Sequence, residues 1–244
     1  FVSLKIREEI GDKPGVAASY NNIGGIYHLQ GNYSEALTNH FASLKIYEEI
    51  GYKQGIAVSY NIIGTIYRKQ ATSPPDAPIG TGLTLLKKRG ELLDRALENY
   101  FASLKIGEEI GDKQSISTCY IDIANIYMDQ FNYAEAIAWF QKGLRLAKEI
   151  GAKQLLLEAY KGLSAVNEKT NDYRNAYKYH QLYSQIKDSI FNEKSSKQIT
   201  EMQTKYETEK KEKQIEFLYA ENKIKEMQLS TEENLFAFLF FRFR

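Results

Sequence analysis

The chain is poor in the residues that would make its chemistry easy to guess. Among 244 residues there is one cysteine, Cys119, so neither an internal disulfide nor a cysteine-built zinc site is available. Four prolines exclude a proline-rich chain, and 16 glycines without a three-residue period exclude a collagen-like one. Three histidines, His28, His40 and His180, are scattered, and no HExxH or other metal-ligand spacing occurs. Charge of one sign is missing too: 32 Lys+Arg against 31 Asp+Glu give +1, where a nucleic-acid surface would be strongly basic. No apolar run reaches the roughly 18 residues that suggest a membrane span. No nucleophile–base pair is apparent, so no catalytic residue is assigned and no cofactor is expected. Aromatic residues, by contrast, are plentiful. With 18 tyrosines and 12 phenylalanines the chain has ample material for a packed core.

The sequence repeats itself. FASLKIYEEIG at 41–51 returns as FASLKIGEEIG at 101–111, with FVSLKIREEIG at 1–11 and a diverged QKGLRLAKEIG at 141–151. The spacings are 40, 60 and 40, so one unit has gained 20 residues. Between these copies Tyr20, Ile23, Gly24 and Tyr27 recur as Tyr60, Ile63, Gly64 and Tyr67, then as Tyr120, Ile123, Ala124 and Tyr127. A weaker copy is Tyr160, Leu163, Ser164 and Asn167. Spacings of 3, 1 and 3 put large side chains on one helical face beside a small residue that admits a neighbouring helix. Tyr33–Ala36, Leu93–Ala96, Tyr133–Ala136 and Tyr173–Ala176 each open a second helix. Asn32, Asn132 and Asp172 suit its N-cap. Gly11, Gly51, Gly111 and Gly151 suit its C-terminal stop, each followed two residues later by a lysine. Each unit therefore reads as two antiparallel helices that bury their apolar faces only by stacking. The pattern predicts nine helices over residues 1–188: a lone second helix, then four pairs.

The run aromatic-x-x-Ile-Gly-x-x-Tyr, with a small residue nine further on, resembles the tetratricopeptide repeat (TPR). The resemblance spans roughly residues 1–188. The unit of 40 residues exceeds the usual length of about 34, and Gly-x-Lys stands where the usual proline falls. The resemblance implies an all-α, right-handed superhelical solenoid over residues 1–190 and a protein- or peptide-binding function. First helices then line the groove, and its side chains are Asn21, Gly25 and His28; Asn61, Thr65 and Arg68; Ile121, Asn125 and Met128; Lys161, Ala165 and Glu168. Asparagines there suit the backbone amides of an extended peptide. Arg68 and Lys161 are too far apart in sequence for a carboxylate clamp. Solvated polar positions are the plainer reading of the same residues.

The extra 20 residues, about 71–90, hold Pro74, Pro75, Pro78, Gly80, Gly82 and Gly90 and read as a loop, either a tolerated insertion or a contact element. Leu83, Leu85 and Leu86 add a short helix or lengthen the next. His40 and His180 occupy equivalent repeat positions with Tyr100 and Phe140, which predicts core packing for both. Cys119 reads as a small buried residue and Trp139 as a staple between helices.

From about residue 191 the pattern stops. Residues 191–230 carry eight lysines and eight glutamates with no glycine or proline. Glu201–Lys205, Glu207–Lys211, Glu209–Lys213 and Glu221–Lys225 are favourable i,i+4 pairs. One long charged helix over 191–234 is expected. Its narrow apolar stripes, Ile199, Met202 and Tyr206 and then Phe217, Ala220, Ile224 and Met227, are candidates for a homodimeric coiled coil. A solvated single helix is the alternative. The end, Leu235–Phe241, is apolar, and three readings stand side by side: the start of a membrane helix, an interfacial anchor, or a helix docked on the last repeat. The segment 179–230 resembles the juxtamembrane part of bacterial TPR signalling proteins, which implies a sensing role and membrane association on a side the sequence does not specify.

Overall fold

In a computed structural model, residues 2–73 and 82–242 are described, with side chains as far as residue 227. Among the described residues the chain is helical with no strand. Among those residues nine helices follow in order: α1 (Val2–Glu9), α2 (Lys13–Leu29), α3 (Tyr33–Glu49), α4 (Lys53–Thr72), α5 (Gly82–Ile110), α6 (Lys113–Asp129), α7 (Tyr133–Glu149), α8 (Lys153–Lys169) and α9 (Tyr173–Arg242). Contacts divide the chain into two units, Phe1–Asp188 and Ser189–Arg244.

The first unit is built from one reversal used repeatedly. Gly11, Gly51, Gly111 and Gly151 adopt φ of 66–71°, the left-handed region that a side chain disfavours. In each case the next residue's N–H reaches back over the helix end, as Asp12 N–H does to Arg7 O at 2.9 Å and Ala152 N–H to Ala147 O at 3.0 Å. The turn inside a hairpin follows the same geometry with Gly31, Phe131 and Asn171 in the left-handed position. Asn32, Asn132 and Asp172 then cap the next helix, their side-chain oxygens accepting from the N–H of Glu35, Glu135 and Asn175. The lysines two residues after Gly11, Gly51 and Gly111 span their hairpins to a glutamate at the end of the far helix: Lys13–Glu49, Lys53–Glu109 and Lys113–Glu149. These pairs are exposed and contribute little stability.

The core runs between hairpins. Ile63, Ala96 and Tyr100 join Ile123 and Ile126 in one cluster, and Ala124, Phe140, Ala159, Leu163 and Val166 form the next. Trp139 packs against both. Its ring lies 5.8 Å from Phe101 and 5.6 Å from Tyr120, with the Lys142 ammonium 3.9 Å above it. It is the staple that its sequence position suggests.

Three expectations are corrected. Leu93 does not open a helix: α5 begins at Gly82 and runs 29 residues where its sister helices run 17, so the insertion lengthens it. The rest of the insertion, 74–81, lies outside the described residues. His40 is buried, with 1% of its surface exposed, but His180 is exposed. The equivalent Phe140 presses on Gly162 of the following hairpin, whereas no later hairpin among the described residues covers His180. Ile121 is buried, not on the free face.

In the second unit α9 continues unbroken from the last repeat to Arg242, so the charged helix is not a separate element. Met202, Tyr206, Phe217, Ile224 and Met227 are exposed. Lys197–Glu201 and Lys225–Glu221 are i,i+4 ion pairs along it. Only backbone is described across the apolar end. No helix among the described residues is long and apolar enough to cross a membrane.

Candidate protein-binding face

The first helices α2, α4, α6 and α8 carry the predicted groove residues at the same register. Asn21, Gly25 and His28 on α2 are half-buried, as are Asn61, Thr65 and Arg68 on α4, and Asn125 and Met128 on α6. Lys161 and Glu168 on α8 are exposed. Several are already engaged with the protein itself. Asn21 Oδ1 lies 3.0 Å from His40 Nδ1, and burial holds the His40 imidazole well down, at about 4, so the ring is neutral near pH 7. His28 is also held below its usual value, by burial and then by Lys69. Thr65 Oγ1 donates to Asn61 O on its own helix and meets the Tyr100 hydroxyl at 3.1 Å. Met128 packs against the core between α6 and α8.

The seam between α4 and α6 is a polar ladder. Asn61 Nδ2–H donates to Asp122 Oδ2 at 2.8 Å, and seven residues on in both helices Arg68 Nε–H donates to Asp129 Oδ2 at 2.6 Å. Seven residues is two helical turns, so both bonds lie on one face of each helix. Burial pushes the Asp122 carboxyl up to about 6, opposed by the Asn61 donor and Arg68 and assisted by Glu158. Arg89, in the lengthened part of α5, donates to Asp129 O at 3.0 Å and covers the Phe131 ring at 5.9 Å. Asp122 and Asp129 escaped sequence reasoning. Their signal was the shared seven-residue spacing, 61 to 68 and 122 to 129, across helices predicted to be neighbours.

Below these two rungs lies a cavity of about 360 Å³ between α4, α5 and α6, lined by residues that include Gln54, Asn61, Ser103, Asp112, Gln114 and Cys119. Cys119 Sγ donates to Ser103 Oγ at 3.3 Å, and burial pushes the thiol up to about 11, the opposite of an activated nucleophile. Among the described residues no group of three or more His, Cys, Asp or Glu is placed to hold a metal ion.

Stacked hairpins whose first helices carry a polar register define a helical-repeat scaffold. The family follows from the sequence match: the tetratricopeptide repeat model covers residues 15–72 and 115–189, more than half of the chain, and the chain belongs to that family. The sequence matches no curated protein. Solved structures share the fold at low identity. BtubC (BKLC) from P. vanneervenii is 16% identical, with 77% of this chain and 78% of that chain covered and a TM-score of 0.57. Aspartyl phosphate phosphatase F from Bacillus subtilis is 13% identical, with 73% and 42% covered and a TM-score of 0.62. The apo form of RapI is 18% identical, with 75% and 45% covered and a TM-score of 0.59. This chain spans less than half the length of the last two.

Proposed function

We propose that the chain is a protein- or peptide-binding scaffold and the interaction or sensing region of a bacterial signal-transduction protein. Its partner lies along the first helices, over Asn21, His28, Asn61, Thr65, Arg68, Asn125, Met128, Lys161 and Glu168. The observation that carries this is that each of four successive first helices places at least one polar side chain at the groove positions, Asn21, Asn61, Asn125 and Lys161 among them, beside a largely apolar core face. Asn125 makes no side-chain hydrogen bond among the described residues, so its amide is available to a peptide backbone. No catalytic step, nucleic-acid partner or cofactor is assigned. The test is capture followed by titration. A partner captured by the full chain is identified by mass spectrometry, and its affinity is measured for the parent and for Asn125→Ala combined with Lys161→Ala. Weaker binding to an intact fold supports the groove; unchanged affinity removes it.

Self-assembly through α9 is a second reading, favoured by the exposure of Met202, Tyr206, Phe217, Ile224 and Met227 along a helix with interleaved lysine and glutamate. Most of a helix's stability in water comes from packing an apolar face, and a second copy supplies a matching one. Sedimentation of the full chain against one ending at Asp188 decides it: a dimer that becomes monomeric on truncation supports pairing, and monomers in both cases remove it. Membrane attachment beyond residue 235 belongs to the same proposal. Flotation of the full chain, and not of one ending at Asn234, with anionic lipid vesicles is its check.

A further inference from the structure

We propose that the cavity between α4, α5 and α6 is a specificity subsite of the binding face and takes a basic side chain, lysine or arginine, of the bound protein or peptide. The inference rests on the groove reading above and adds to it the chemistry of one partner residue.

The argument starts from register. Asn61 faces Asp122 and Arg68 faces Asp129. One heptad earlier the same faces present Gln54 and Ser115, and there no side-chain bond crosses the seam among the described residues. The cavity lies at this level, with Ser103 and Cys119 on α5 and α6 among its lining. Its volume of about 360 Å³ is at the small end of ligand sites, large enough for one long side chain.

Charge selects which side chain. Among the described residues that line the cavity, Asp112 is the one ionisable acid or base besides the buried Cys119 thiol. The Ser115 hydroxyl and the backbone N–H groups of Ser115 and Gln114 hold the Asp112 carboxyl below the usual range, so it is charged near neutral pH. Its Oδ1 accepts from those two N–H groups at 3.1 Å each, and its Oδ2 accepts from the Ser115 hydroxyl at 2.6 Å. Two carboxylate oxygens offer about four acceptor directions, so one remains for a ligand. Asp122, on the same seam, adds negative potential. The neighbouring cations are committed elsewhere: Arg68 to Asp129, Lys53 to Glu109, Lys113 to Glu149.

The walls suit an amphipathic basic chain. Val58 is 42% exposed and lines the cavity, offering apolar surface to a methylene stem. Gln54 and Gln114 are exposed at the rim, and their amide oxygens accept hydrogen bonds from an ammonium or guanidinium. An acidic side chain would meet Asp112 with like charge, and an apolar one would strip water from it without replacing the lost bond.

The test uses the full chain labelled with nitrogen-15 and three probes: the N-acetyl amides of arginine, lysine and norleucine. Arginine and lysine are expected to shift the side-chain amide signals of Gln54 and Gln114 saturably, and norleucine to shift them much less. Asp112→Asn keeps an N-cap acceptor while removing the charge, and should weaken the arginine probe about three- to tenfold. Thr118→Tyr fills the cavity from a residue whose hydroxyl bonds only to its own helix, and should abolish the shifts. Equal response to norleucine, or an arginine affinity unchanged in both variants, overturns the subsite. If a captured partner still binds both variants as tightly as the parent, the subsite falls and the groove reading stands. If that partner is instead insensitive to Asn125→Ala with Lys161→Ala, the groove reading falls.

Discussion

Replacing Gly64 by alanine adds one carbon where two helices touch. A Cβ built there would lie 2.9 Å from both Cδ1 and Cε1 of Tyr100 and 3.1 Å from the Ala96 carbonyl oxygen. Tyr100 is 1% exposed, and its hydroxyl is held at 3.1 Å by Thr65, so the ring has nowhere to retreat. Ala96 O belongs to helix backbone and moves only with α5. Gly25, on the equivalent first helix α2, has nothing within 4 Å of its built Cβ. Both changes gain the same helix propensity, about 1 kcal/mol for glycine to alanine, so that gain cancels in a comparison. What remains is the overpacking at Gly64, about 1–3 kcal/mol. Gly25→Ala should therefore stabilise the protein, and Gly64→Ala should fall below it by that amount. Gly64→Leu, with three further carbons, should lose more than about 3 kcal/mol. Urea unfolding followed by circular dichroism measures all three. If Gly64→Ala is stabilised as much as Gly25→Ala, close approach of α4 and α5 at this point is not what the glycine serves.

Three further outcomes follow from the seam and its turns. Asn61→Ala should cost about 1–3 kcal/mol in urea unfolding, because it leaves a carboxylate in the seam without its donor, whereas Asn125→Ala should be nearly neutral; equal effects would mean that the Asn61–Asp122 bond contributes nothing. Asp122 has a folded-state value, about 6, above the ordinary 3.8. Its contribution to stability is thus present below about pH 4 and lost as pH rises through about 6. Asp122→Asn should accordingly gain stability relative to the parent between about pH 4 and 7, and a difference that is flat with pH would refute the assignment. Phe131 is 68% exposed at φ 62°, where Gly31 serves in the sister turn, so Phe131→Gly should raise the melting temperature by relieving roughly 1 kcal/mol of left-handed strain. No rise would show that Arg89 and Tyr133, which contact the ring, fully offset the strain.

The repeat architecture was legible because its signals are local and recur. A tyrosine, an isoleucine and a glycine at fixed spacing specify a packing face, and Gly11, Gly51, Gly111 and Gly151 specify a backbone conformation. The free face was harder to read, because a polar residue at a groove position looks the same whether it meets solvent or a neighbour. Asn61 and Arg68 stand in the expected place, yet both bond across to α6, which a pattern within one helix does not reveal. Ile121 shares their register, but the close approach of α7 at Gly143, whose built Cβ would lie 2.8 Å from Ile121 Cγ1, draws it into the core. His180 misled for the converse reason. Its repeat position is buried only when another hairpin follows, and burial of that kind is a property of the stack.

The 20 extra residues lie in the repeat that supplies the α4 side of the polar ladder, and the structure gives a physical link between the two. Lengthening α5 brings Arg89 to the turn between α6 and α7, where it donates to Asp129 O and covers Phe131. Asp94, also on α5, accepts from Gln130 in the same turn at 3.4 Å. Asp129 is thus held by two arginines, Arg68 through its carboxylate and Arg89 through its carbonyl. Charge-assisted bonds of this kind are stronger than neutral ones, and here they converge on one residue at the C-terminal end of α6. The N-terminal end of the same seam carries no such bond and contains the cavity. A seam fastened at one end and open at the other presents Asp112, Gln54 and Gln114 at a fixed spacing, because the rungs at Asp122 and Asp129 hold α4 against α6. None of the insertion's described residues lines the cavity, and the helix it lengthens braces the turn that anchors the ladder.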